Sequence, residues 1–307
     1  MPPALPPPRA SGYTTSTPVP LYWVAYGPAG APKLLVLHGG PGAHHDYLLP
    51  QMLGLADDYE LIFYDQRGGG RSTTSDRSPI TWRTHVGDLS LIIRELGLTP
   101  LSLVGYSWGG LLALLYAIVT SDRRGGSDGD AGAAPPRRMV LIDPAPVTGE
   151  FRSQFEQEFA RRQQSPEIQR LREELAASGL RERDYDAYRQ RLFELSVAGY
   201  FAHPENARAL TPFRVTGRVQ QSVWESLDGF DLTRELGVVR APTLIVHGEQ
   251  DPIPLASSEA TARALPNARL VTIPDSGHVP YVEATDALLG AVRAFLEETN
   301  HLVTQTV

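Results

Sequence analysis

The chain has no cysteine among its 307 residues. That excludes disulfides, a cysteine nucleophile and thiolate metal sites. Lysine is nearly absent too: Lys33 is the only one, and arginine carries the rest of the basic charge. There is no Lys/Arg run of the kind a phosphate backbone demands, and the net charge is −7. Both facts argue against nucleic acid as a partner. No apolar run reaches membrane-spanning length. The proline-rich start, residues 1–10, lacks the apolar stretch of a secretory leader. The expectation is a cytoplasmic chain with no membrane partner. An apolar content of 42% and this length suit one large globular domain carrying an insertion. Nothing in the sequence fixes an oligomeric state.

What is present is an alternation. Six apolar runs read as buried parallel strands: Leu34–Leu37, Leu61–Tyr64, Leu101–Val104, Met139–Ile142, Thr243–Val246 and Arg269–Ile273. Helical patterns separate most of them. Leu89, Ile92, Ile93 and Leu96 share one face, and residues 111–119 are apolar all round, as in a helix packed under a sheet. This alternation predicts a doubly wound α/β sheet, with residues 13–26 as a small antiparallel start. Residues 1–11 read as a disordered arm, 121–137 as a flexible Gly/Asp/Pro-rich loop and 300–307 as a tail. The core then comprises 12–144 and 241–299. Between 145 and 240 no strand pattern occurs. Helical stripes do: Phe151/Phe155/Phe159, Ile168/Leu171/Leu175, Tyr185/Tyr188/Leu192/Leu195 and Val219/Val223/Leu227. So long an interval predicts a helical cap over the C-terminal edge of the sheet, where open α/β sheets place ligands.

The chemistry centres on Gly105-Tyr106-Ser107-Trp108-Gly109, which follows an apolar strand and opens a helix. Taken alone, G-x-S-x-G can be a tight turn. In this context it reads as a nucleophile elbow, with Ser107 as the attacking group. A serine needs a base, and the base needs an acid to hold its tautomer. The required order is serine, acid, histidine. After the fifth apolar run comes His247-Gly248-Glu249-Gln250-Asp251, and after the sixth comes Asp275-Ser276-Gly277-His278. Asp251 is the preferred acid, with Glu249 and Asp143 as rivals. His278 is the preferred base, because His247 precedes the acid. His85 and His203 read as surface residues. Oxyanion donors are expected from the backbone amide of Trp108 and from the loop His38-Gly39-Gly40-Pro41-Gly42, with Gly40 first and Gly39 second. The segment Asp65-Gln66-Arg67-Gly68-Gly69-Gly70-Arg71-Ser72 lacks a Walker pattern and reads as scaffolding, Asp65 and Arg67 pairing or capping.

These segments together, 38–42, 65–72, 105–110, Asp251 and Gly277-His278, resemble the proline iminopeptidases, which are prolyl aminopeptidase-type α/β-hydrolases. The resemblance covers residues 12–144 and 241–297. It implies an α/β-hydrolase fold, a mostly parallel doubly wound sheet with an inserted helical cap. The implied activity is cofactor-free and metal-free release of an N-terminal residue, often proline, from a short peptide. It also implies carboxylates at the cap or rim that hold the substrate's α-amino group. Some members carry a glutamate directly after the triad aspartate, a position held here by Pro252. The cap offers Glu156, Glu158, Glu194, Glu205 and Glu225, of which Glu225, beside Trp224, is preferred. Gly39, Trp224 and Glu225 are the expected substrate contacts. The alternatives are a carboxylesterase or amidase of small acyl substrates, and a non-hydrolytic ligand-binding or lyase member of the fold.

Overall fold

The computed structural model describes residues 5–121 and 133–304, with side chains through residue 298. Its centre is one eight-stranded sheet with the order β1-β2-β4-β3-β5-β6-β7-β8. The strands are β1 (Ala10–Tyr13), β2 (Tyr22–Tyr26), β3 (Lys33–Leu37), β4 (Glu60–Tyr64), β5 (Ser102–Tyr106), β6 (Arg138–Ile142), β7 (Thr243–Gly248) and β8 (Ala268–Ile273). β1 pairs antiparallel with β2, and β2 antiparallel with β4; the remaining pairings are parallel.

The strands alternate their side chains between two cores, as the pleat requires. Leu35, Leu37, Ile62, Leu103, Met139 and Ile245 enter the core on one face. Leu34, Val36, Leu61, Phe63, Val140 and Leu244 enter the core on the other. Both faces are covered by helices, which is why the inner strands read as unbroken apolar runs. The helices are α1 (Leu49–Met52), α2 (Trp82–Glu95), α3 (Trp108–Ser121), α4 (Gly149–Gln163), α5 (Pro166–Ala177), α6 (Leu180–Arg183), α7 (Tyr185–Val197), α8 (Gly217–Glu225), α9 (Leu255–Ala264), α10 (Pro280–Glu283) and α11 (Thr285–Thr304). α3 is buried from Trp108 to Ala117, against the first core. α11 covers the second with Leu288, Leu289, Val292, Phe295 and Leu296. None of the helices among the described residues is long and apolar enough to cross a membrane.

Between β6 and β7 the described chain runs through α4 to α8 with no further strand, only an isolated bridge from Thr148 to Asp231. Local sequence sets these helix starts. The side chains of Thr148, Ser165 and Asp184 accept the amides of Phe151, Ile168 and Ala187, and Pro166 occupies the first turn of α5. Leu171, Leu175 and Leu195 form a small core of their own.

Several expectations need correction. The arm expected over 1–11 joins the sheet at its C-terminal part: Arg9 N–H donates to the Ala25 carbonyl (2.8 Å), and β1 begins at Ala10. Backbone pairing with β2, which composition cannot register, orders it. The tail expected from 300 is helical to Thr304. Most of the loop expected over 121–137 lies outside the described residues, as do 1–4 and 305–307. Of the stripe on α7, Tyr185 and Leu192 are exposed, because that face of the helix meets no neighbour. β8 is only half-buried, since it is the sheet's edge.

The packing of α3 on the sheet leaves no room at Gly109. A methyl there would stand 2.1 Å from the Leu37 carbonyl oxygen, whereas one at Gly87, on the exposed face of α2, would touch nothing. Gly109→Ala is expected to destabilise the fold by about 3 kcal/mol through backbone displacement. Gly87→Ala is expected to stabilise it by about 0.5–1 kcal/mol through helix propensity. Urea unfolding midpoints measure both, and equal midpoints would contradict this packing.

Candidate active site

Ser107 sits on the turn between β5 and α3 with φ of 51°, the left-handed region that L-residues avoid. The turn is held on all sides. Ser107 N–H donates to the Ile142 carbonyl (2.9 Å), and the Ser107 carbonyl accepts from Gly110 (2.9 Å), Leu111 (3.2 Å) and Ala145 (2.9 Å). Such strain persists only where the surroundings over-determine it. Its result is a hydroxyl lifted clear of the sheet.

That hydroxyl meets His278. Ser107 Oγ lies 3.0 Å from His278 Nε2, and His278 Nδ1 lies 2.9 Å from Asp251 Oδ2. Asp251 is fixed in turn, its Oδ1 accepting the Ile253 amide at 2.7 Å. The carboxylate can only accept, so Nδ1 carries the proton and Nε2 is free to accept from Ser107. β5, β7 and β8 thus deliver the three residues to one edge of the sheet. Burial lowers the His278 imidazole to about 4 and raises the Asp251 carboxyl to about 7. At neutral pH the ring is therefore an uncharged base.

The rivals separate clearly. Glu249 is exposed. His247 is buried and faces Ser258 Oγ at 2.9 Å. Asp143 is fully buried next to Asp251. His85 is buried, not on the surface, because the first turn of α2 turns it inward to an edge contact with Trp108, ring centroids 5.9 Å apart. His203 is exposed.

The loop after β3 stands against Ser107. A methyl on Gly39 would lie 2.9 Å from Ser107 Cβ, so only glycine permits this approach. Gly40 takes φ of 65°. Beneath the loop, His38 is buried and accepts the Gln66 amide at Nε2 (3.1 Å). Its proton is therefore on Nδ1, which donates to the Gly39 carbonyl (2.9 Å). Gln66 joins the loop to α3: its Nε2 donates to the His38 carbonyl (2.9 Å), and its Oε1 accepts from Trp108 Nε1 (2.7 Å). Asp65 and Arg67 do not pair with each other. Asp65 binds His45 Nδ1 (2.6 Å) and the Arg71 amide (2.8 Å), and Arg67 binds Asp88 (2.8 Å).

Above the serine lies a cavity of about 770 Å³. Its walls are aromatic: Tyr47, Tyr106, Phe155, Phe159, Tyr200, Phe213, Trp224 and Tyr281. Phe155 and Phe159 explain why α4 carries an apolar stripe yet buries no residue, since the stripe faces the cavity. Gly39, Gly40, Trp224 and Glu225 also line it, with Arg152, Glu156 and Asp228. Glu158, Glu194 and Glu205 are not among its walls; Glu158 pairs with Arg161 and Arg162, and Glu194 with Arg191. Arg152 is engaged by Glu156 (2.9 Å) and by the Trp224 ring (4.1 Å). The Glu225 carboxylate accepts from the Gln221 side-chain amide (2.7 Å). Tyr200 was missed from sequence because it belongs to no motif. It stacks on the His278 ring at 5.1 Å, and its carbonyl accepts the His278 amide at 2.7 Å.

A profile of the alpha/beta hydrolase fold matches residues 32–285, and the chain belongs to that family. Its relatives include the proline iminopeptidase of Thermoplasma volcanium, 25% identical over 297 residues, covering 87% of this chain and 89% of that one. That of Saccharolobus solfataricus is 25% identical over 327 residues, covering 95% and 93%. Among solved structures, the proline iminopeptidase of Mycobacterium smegmatis superposes with a TM-score of 0.68 at 20% identity, covering 96% of this chain and all of that one. A 2-hydroxy-6-oxo-6-phenylhexa-2,4-dienoate hydrolase from Rhodococcus gives 0.66 at 21% identity, covering 94% and 98%. The resemblance seen in the motifs thus extends along most of the chain, and family and relatives together support hydrolysis.

The burial of His278 generates a direct prediction. At about pH 6, below the ordinary histidine value of about 6.5, its ring is expected to remain neutral with the proton on Nδ1. Nitrogen-15 histidine spectra read this. A ring protonated on both nitrogens at that pH would contradict the described environment.

Proposed function

We propose that the protein is a serine hydrolase working through an acyl-enzyme. The observation that carries this reading is the unbroken line from Ser107 Oγ through His278 to Asp251, with separations of 3.0 and 2.9 Å. Ser107 Oγ bonds to the substrate carbonyl carbon while His278 Nε2 takes the hydroxyl proton. Asp251 holds the ring and stabilises the imidazolium that forms. The carbonyl oxygen becomes an oxyanion facing the backbone amides of Trp108 and Gly40. The Trp108 amide opens α3 and so has no acceptor within its helix. The carbon–nitrogen bond then breaks as Nε2 returns its proton to the leaving amine. A water molecule, deprotonated by the same nitrogen, attacks the ester carbon, and Ser107 leaves with the proton. No metal or organic cofactor is required.

Among acyl substrates, a peptide with a free N-terminus fits best, as in the proline iminopeptidases that the chain resembles. The cavity wall holds three carboxylates, Glu156, Glu225 and Asp228, but one guanidinium, Arg152, and that one pairs with Glu156. Glu225 and Asp228 face the space with no cationic partner among the described residues. A substrate ammonium entering a partly dry aromatic pocket needs such a partner. The aromatic walls and the three ring methylenes of a prolyl residue are matched in polarity. The alternative, a small ester, would use the same walls without the carboxylates.

Ser107→Ala is expected to lower kcat/KM by about 10⁴-fold or more with the circular dichroism spectrum unchanged. Proline p-nitroanilide should be cleaved in preference to p-nitrophenyl butyrate, and N-acetylation should abolish its cleavage. Glu225→Gln should raise KM for the free-amine substrate about tenfold and leave the ester unaffected. Full activity of Ser107→Ala would end the serine-hydrolase reading; equal turnover of blocked and free amines would end the aminopeptidase one.

A further inference from the structure

Asp143 has no part in the mechanism above, yet its position is unusual. It directly follows β6, is fully buried and takes φ of 41°, a strained conformation for an aspartate. Its amide donates to the Val246 carbonyl (2.8 Å), and its Oδ1 accepts the Gly248 amide (2.8 Å), fastening the end of β6 to the end of β7. Its Oδ2 is buried without a hydrogen-bond partner. Polar atoms of Asp143, His247 and Asp251 lie within 4.8 Å of one another.

Two ionised carboxylates this close in a dry site repel strongly, and one of them retains a proton. Asp251 cannot be that one in the working enzyme, since both its oxygens accept N–H donors, from His278 and Ile253. A metal ion would compete for donors already in use, because His247 Nδ1 faces Ser258 and Asp251 faces His278. Among the described residues the unpartnered carboxylate oxygen of the cluster is Asp143 Oδ2.

We propose that Asp143 is a positioning residue kept as the neutral carboxylic acid, its proton on Oδ2 beside Asp251, so that a single negative charge serves His278. The proposal rests on the serine-hydrolase reading for its kinetic consequences but not for the proton itself. Burial and the neighbouring Asp251 both raise the Asp143 carboxyl, which agrees with the neutral form. Its uncharged state leaves Asp251 as the one anion facing the ring among the described residues, and its Oδ1 fixes the loop that carries Asp251.

Asp143→Asn tests this, because the amide reproduces both the acceptor toward Gly248 and a donor toward Asp251, and Asn tolerates positive φ. The expected result is a kcat/KM within about threefold of the parent and an acid limb of the pH profile that superposes on it, since no charge has been removed. An acid limb displaced downward by about one pH unit would show that an ionised Asp143 had been supporting the His278 cation, and would overturn the proposal. So would a loss beyond about tenfold, which would mean that the acid itself is needed. Infrared difference spectra of parent minus variant at neutral pH should show a protonated-carboxyl C=O band. Its absence overturns the proposal, as does a stoichiometric metal ion in the purified protein. If parent and variant both fail to hydrolyse any acyl substrate, the functional reading falls, while the infrared band still decides the state of Asp143.

Discussion

The site depends on one hydrogen bond, that between Ser107 Oγ and His278 Nε2, which joins residues 171 positions apart in the chain. A contact of that span is made by the sheet, not by local structure. β5 and β8 are separated by β6 and β7, and the parallel register of all four brings their C-terminal ends to one rim. Any slip of register would turn core side chains outward, so the core protects the geometry of the site. The strain at Ser107 belongs to the same arrangement. Its backbone is fastened to β6, to Ala145 just beyond it and to α3 by four hydrogen bonds, and the fold's stability maintains the raised hydroxyl.

The insertion between β6 and β7 completes the site from above. Tyr200 holds His278 by its ring and by its carbonyl, and Phe155 lies over the same imidazole with ring centroids 6.4 Å apart. These aromatic groups exclude water, which is why the imidazole is driven toward its neutral form. The same segment supplies the carboxylates at the far side of the cavity. The neutral imidazole and the carboxylates of the cavity wall therefore have a common origin in the helices that roof the sheet.

Much of this was legible in the sequence, for physical reasons that also mark the limits. Strands buried on both faces must be apolar throughout, so β3 to β7 announce themselves. The elbow is legible because Gly105 and Gly109 stand where backbone atoms approach too closely for any side chain. Asp251 and His278 follow strand ends, so their shared rim follows from the α/β alternation. Side-chain neighbours across the fold carry no such signal. Asp143 was visible as an acid after a strand but not as the companion of Asp251. Gln66 sat in a glycine-rich segment with nothing to show that it bridges His38 and Trp108. His85 was misplaced on the surface because its inward turn depends on where α2 packs. The periodicity of α7 named Tyr185 and Leu192 as a buried stripe, and solvent took that face instead, since a helix pattern does not say which elements lie beside it.

The central claim is that Ser107 is an activated nucleophile and that His278 activates it. Labelling with a fluorophosphonate probe, followed by peptide mass spectrometry, measures this with no assumption about substrate. The account predicts one covalent adduct per chain, on Ser107, formed at least about a hundredfold more slowly in His278→Ala. An unlabelled Ser107 in the folded parent protein, or labelling that proceeds equally fast without His278, would contradict it.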